Sequence, residues 1–176
     1  MSGKIHISLL LVLLASTTVF GCWGGRRRGS SSTSVADMRK KIAQKAESYV
    51  GSTRWCYSCS SGHGANTDKC NYFVYDVGRE AGAKMPVRTF SWRGGPVGAG
   101  RGGWGTASSL DYWTRVSSPQ RGDIVSAHSR GTYHVGIYVA YRTTVSANSH
   151  NVGKNCWPWG SYQSDYADHV YWRYTG

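Results

Sequence analysis

The hydrophobic period of this chain changes once, and that change restricts the fold more than any other feature. Val35, Met38, Ile42, Ala46, Tyr49 and Val50 recur at helical spacing, with Arg39, Lys40, Lys41, Gln44 and Lys45 mostly opposite. Ser34 reads as the N-cap of this helix and Gly51 as its stop. A loop rich in Gly, Ser and Asn then runs from Ser52 to Thr67. Thr67 or Asp68 is expected to cap a second helix, on which Cys70, Val74, Val77 and Ala81 share a face and which Gly82 ends. Past Gly122 the chain is strand-patterned, with strands expected at Asp123–Ala127, Tyr133–Ala140, Thr143–Asn148 and His169–Tyr174. Helices first and strands later predict an α+β domain built on an antiparallel sheet. Between the two regimes, Arg88–Ser108 is glycine-rich and aperiodic, which predicts a long surface loop carrying Trp92 and Trp104. Ser109–Val116 reads as a short helix. There is no internal repeat.

The first 21 residues read as a secretory signal. Lys4 is a thin basic region, Ile5–Leu14 is mostly apolar, and Val19-Phe20-Gly21 offers small residues near a cleavage point. The apolar run is short for a membrane span and fades into Ser16-Thr17-Thr18. Residues 22–34, with Gly24-Gly25, Arg26-Arg27-Arg28 and a serine run, read as a disordered basic linker. The folded domain is therefore expected at 35–176, secreted and extracellular, with no stable membrane insertion.

Secretion changes how five cysteines read, because thiols in an oxidising compartment tend to pair and five is odd. If Cys70 stays free, Cys22, Cys56, Cys59 and Cys156 can form two bridges. Spacing does not decide the connectivity: Cys56 to Cys59 is locally feasible and would leave Cys22 to Cys156. A lipid on Cys22 would break this count, although Phe20 is bulky for a lipoprotein signal. The net charge of +12, with eight Trp and twelve Tyr, suits an anionic, extended partner. Charge alone does not separate a nucleic acid from a carboxylate-bearing glycan or a teichoic-type polymer.

Cys70 falls in the first turn of its helix, where unpaired N–H groups and the helix dipole are expected to lower a thiol pKa. His134 opens Val135-Gly136-Ile137-Tyr138-Val139, and a strand start gives an imidazole a defined direction. Such a base could take the thiol proton and return it to a leaving amine. His63, His128 and His169 read as surface histidines without a role.

Cys70-Asn71-Tyr72-Phe73-Val74, Gly122-Asp123-Ile124-Val125 and His134-Val135-Gly136-Ile137-Tyr138 together resemble the NlpC/P60 and CHAP branch of papain-like cysteine peptidases. Tyr49-Val50-Gly51 and Trp55 resemble the lead-in to the catalytic helix of that branch. The Lys-Cys-Asn-x-Phe-Val form is most similar to the amidase effectors of type VI secretion and to their secreted, domesticated relatives in eukaryotes. The resemblance spans about Val35 to Tyr174. It implies a papain-like α+β fold, with N-terminal helices and the catalytic cysteine at a helix start packed on the sheet. It also implies an antibacterial amidase or endopeptidase acting on peptidoglycan stem peptides or cross-links, without a metal or cofactor. Carried over by position, Cys70 is the nucleophile, His134 the base and Asp123 a structural turn acid. Ser146 stands where many relatives have the residue that orients the imidazole. Period-two alternation puts Ser146, Asn148 and His150 on one face, and Asn148 is the preferred third member. The Cys70 N–H is the natural first oxyanion donor. Trp55 and Tyr57 could supply a second donor or shape the cleft, and Trp92 and Trp104 suit glycan stacking. The expected partner is bacterial peptidoglycan, met by a monomer that binds no nucleic acid. An immunity or inhibitor protein is a further partner compatible with that role.

Two other readings compete. Cys56, Cys59, His63 and Cys70 form a chemically good zinc set, which with the basic charge would suit a nucleic-acid knuckle, although the spacing misses the usual one. Alternatively, the same fold could bind wall glycan without catalysis.

Overall fold

The structure is a computed structural model that describes residues 33–60, 63–88, 94–155 and 168–176. The expected signal segment, the linker up to position 32, Trp92, Cys22 and Cys156 lie outside the described residues. Among the described residues, no helix is long and apolar enough to cross a membrane.

The domain is mixed α+β. Helix α1 (Val35–Ser48) begins as read: Ser34 is its N-cap, and its hydroxyl accepts from the Asp37 N–H at 3.1 Å. Helix α2 (Cys70–Ala81) ends at Gly82, whose φ of 94° is the left-handed C-cap that glycine adopts without strain. The start of α2 differs from expectation. Its N-cap is Lys69, with no side-chain capping bond, and the Thr67 hydroxyl bonds back to the Ala65 carbonyl instead.

Among the described residues, ten elements follow the chain in order. After the helices come β1 (Val87–Arg88) and β2 (Gly95–Pro96), then β3 (Trp113–Val116), β4 (Ile124–Ser129), β5 (Thr132–Ala140), β6 (Thr143–Ala147), β7 (Val152–Asn155) and β8 (Asp168–Tyr174). β1 and β2 form a small antiparallel ribbon. The other six form one antiparallel sheet in the order β3-β8-β4-β5-β6-β7. The helix expected at Ser109–Val116 is absent: its second half is strand β3, paired with β8.

Alternation sorts the sheet residues. Ile124, Val135, Ile137, Val145 and Trp172 join Ile42, Ala46, Phe73, Val74 and Val77 of the two helices in one core. Val125, Tyr138 and Tyr171 cluster on the opposite face. The glycine-rich segment after β2 is not simply a surface loop. Its Trp104 is 1% exposed and packs edge-on against Trp113 at 5.3 Å, while the Trp104 carbonyl accepts from Trp172 Nε1 at 2.6 Å. The segment is thus stapled to the sheet.

The Gly122-Asp123 turn joins α1 to the sheet. Asp123 is fully buried and accepts from the Gln120 N–H at 2.7 Å and from Arg173 Nη2 at 2.8 Å, with Arg39 Nη1 3.8 Å away. Gly122 has φ 90°, and a Cβ there would lie 2.0 Å from the Arg39 carbonyl oxygen. Gly122→Ala therefore combines left-handed strain with a backbone clash and should lower stability by about 3 kcal/mol, measured by urea unfolding. A wild-type unfolding midpoint would contradict this reading of the turn.

Candidate active site

One cleft, of about 220 Å³, gathers the residues that carry chemistry. Its wall is built from the loop before α2 (Trp55, Tyr57), the start of α2 (Asp68, Lys69, Cys70), the start of β5 (Thr132, Tyr133, His134) and the end of β6 (Ala147, Asn148, Ser149). Four chain segments distant in sequence thus bring Cys70, His134 and Asn148 to one site.

Cys70 is 6% exposed, and among the described residues it is the free cysteine. Burial pushes its thiol up to about 11, against partial opposition from the N–H groups of Val135, Asn71 and Cys70 itself. The helix start therefore does not produce the low thiol pKa expected of it. Desolvation by the surrounding core outweighs three backbone donors. The Val135 contact also fixes the geometry: the sulfur lies against the backbone of the residue that follows His134.

His134 is half-buried with its Nε2 shielded from solvent, and burial holds its imidazole down to about 4. At neutral pH the site accordingly holds a neutral thiol and a neutral imidazole, an acceptor ready to take a proton rather than a preformed ion pair. Ionisation of Cys70 must then be driven by pH or by the base. Alkylation of Cys70 by iodoacetamide should climb with pH through about 11, beyond the range of an ordinary thiol. A plateau already reached near pH 7 would show a stabilised thiolate and overturn this description.

The three candidates for the third residue are placed differently. β5 pairs with β6 through Ile137↔Val145, and Asn148, just past the end of β6, lines the same cleft as His134. Ser146 is buried on the face shared with Gly136, where a Cβ on Gly136 would lie 3.0 Å from the Ser146 Cβ. The Ser146 hydroxyl points to Asn148 Oδ1 at 3.5 Å. His150 is exposed and does not line the cleft. Of the three candidates, Asn148 is the one on the cleft wall.

The aromatic candidates divide. Tyr57 is 43% exposed on the cleft wall and available to a ligand. Trp55 is a buried floor, 1% exposed, with its Nε1 donating to Asp76 at 2.9 Å and its ring edge-on to Phe73 at 5.1 Å. Trp104 belongs to the core and is absent from the cleft wall, so its expected role in stacking glycan does not hold. Asp123 sits in its turn as a structural acid, away from the cleft wall.

The zinc set does not survive. Cys56 and Cys59 are joined as a disulfide with a Cα–Cα distance of 5.3 Å, which removes two thiolates. His63 instead stacks on Tyr72 at 4.0 Å and bonds Asp76 at 3.3 Å.

Sequence reasoning missed Lys69 as a buried residue, and it missed Thr132, Tyr133 and Ser149 as cleft residues. Only Lys69 left a trace in the sequence, as the basic neighbour of the cysteine. The chain matches no family model, no curated protein and no solved structure.

Proposed function

We propose that this chain is a secreted cysteine amidase that hydrolyses amide bonds of bacterial peptidoglycan, in stem peptides or cross-links. The observation that carries the reading is the convergence of the free Cys70, the neutral base His134 and Asn148 on one cleft. In this mechanism His134 takes the Cys70 proton as the sulfur attacks the amide carbonyl. The Cys70 N–H donates to the resulting oxyanion. His134 then gives the proton to the departing amine, which leaves a thioester. Water, deprotonated by the same imidazole, attacks the thioester; the acyl half leaves as a carboxylic acid, which ionises to solvent, and the imidazolium returns its proton to the departing sulfur. Asn148 accepts from the far imidazole N–H and holds the ring in register.

Charge supports the choice of substrate. A strongly basic protein concentrates on an anionic wall, and Asp68, exposed at the cleft, offers a carboxylate to a stem-peptide amine. The test is digestion of purified peptidoglycan followed by fragment masses. Release of paired amine and carboxylate ends at one peptide bond supports the reading. Unchanged muropeptides at high enzyme concentration would refute it.

A further inference from the structure

Lys69, the residue before the nucleophile, is 2% exposed. Among the described residues its ammonium has no carboxylate within ion-pair distance. Its hydrogen bonds go to three backbone carbonyls: Cys56 O at 2.7 Å, Cys59 O at 2.8 Å and Tyr57 O at 3.3 Å. An ammonium has three donors, and all three are used. A buried cation without an anion is expensive unless its donors are met, so it has a defined place only while those carbonyls surround it.

The carbonyls belong to a loop that does two further things. Two of them are those of the cysteines in the Cys56–Cys59 disulfide, which closes the loop around the ammonium. The loop also presents Trp55 and Tyr57 to the cleft, and the Tyr57 N–H donates to Ser149 O at 2.8 Å on the cleft's far side. Lys69 is meanwhile the N-cap of α2, and its own carbonyl accepts from the Phe73 N–H at 2.9 Å. One residue therefore joins the cleft wall to the helix start that carries Cys70.

We propose that Lys69 is a positioning residue: its ammonium clamps the disulfide-closed loop onto the start of the Cys70 helix, so that cation and disulfide together assemble the cleft wall. Its consequence for hydrolysis rests on the function proposed above. Its consequence for the accessibility of Cys70 does not.

The test follows iodoacetamide labelling of Cys70 alongside peptidoglycan digestion and thermal melting. Three proteins are compared with wild type: Lys69→Ala, Lys69→Met, and the double variant Cys56→Ser/Cys59→Ser, which perturbs the cage while keeping the lysine. Each should label Cys70 roughly tenfold faster, as the charge-assisted bonds that hold the wall closed are lost. Propylammonium supplies the atoms deleted in Lys69→Ala and should return its labelling toward the wild-type rate. Tetramethylammonium at equal ionic strength, which has no donor, should not. Wild-type labelling in all three variants would overturn the clamp, as would equal effects of the two cations. If both lysine variants fail to fold, the double variant decides by the same labelling criterion. Labelling that responds as described in a protein that digests no peptidoglycan would leave the clamp standing and refute the proposed function.

Discussion

On the proposed mechanism, Cys70→Ala is expected to reduce peptidoglycan hydrolysis by about 10⁴-fold or more, because the acyl intermediate forms on its sulfur. His134→Ala should lose a comparable factor. The thiol is buried and protonated at neutral pH, so without the base there is almost no thiolate to attack. The two residues act as one unit, and the double variant should be little worse than either single one. Asn148→Ala acts only through the imidazole and should lose about 10- to 100-fold. Folding provides the control. Removing one sulfur from the core should lower stability by only about 1 kcal/mol, a shift of a few degrees in Tm. Residual hydrolysis above about a hundredth of wild type in a folded Cys70→Ala protein would place the chemistry elsewhere.

The largest loss of stability is expected at Asp123→Ala, about 3–5 kcal/mol by urea unfolding. The carboxylate is fully buried and answers three groups at once: the Gln120 N–H, the Arg173 guanidinium and, more distantly, Arg39. Its deletion leaves an orphaned N–H and two arginines in a space shaped for an anion. Pairing Asp123→Ala with Arg173→Met should recover part of the loss, since the uncompensated cation is then gone. A loss below about 1 kcal/mol in the single variant would mean that the turn is held by Gly122 and the backbone alone. The proposed hydrolysis should be near normal in the residual folded fraction, which separates Asp123 from the proposed catalytic residues.

Legibility in the sequence followed length and regularity. Both helices were readable because they run for three to four turns with an apolar stripe; Gly82 stops α2 as expected, whereas the C-cap of α1 is Tyr49, two residues before the expected stop at Gly51. β4, β5, β6 and β8 were readable from their alternation. β7 was not, because four residues containing Gly153 carry too little pattern. β3 was misread as a helix for the same reason: Ser109–Val116 is short, and only pairing with β8 selects the extended form. Trp104 illustrates a different failure. An aromatic in a glycine-rich stretch is equally compatible with a ligand-facing loop and with a staple into the core, and residue type does not indicate direction.

The order of residues along the chain was sufficient to determine the α+β class and to put a cysteine at a helix start and a histidine at a strand start. These follow from local period and spacing. The tertiary structure alone decided that the thiol rises toward 11 instead of falling, that Asn148 and not His150 reaches the cleft, and that Lys69 is buried among carbonyls. Desolvation and proximity depend on everything packed around a group, and no window of neighbouring residues contains that information.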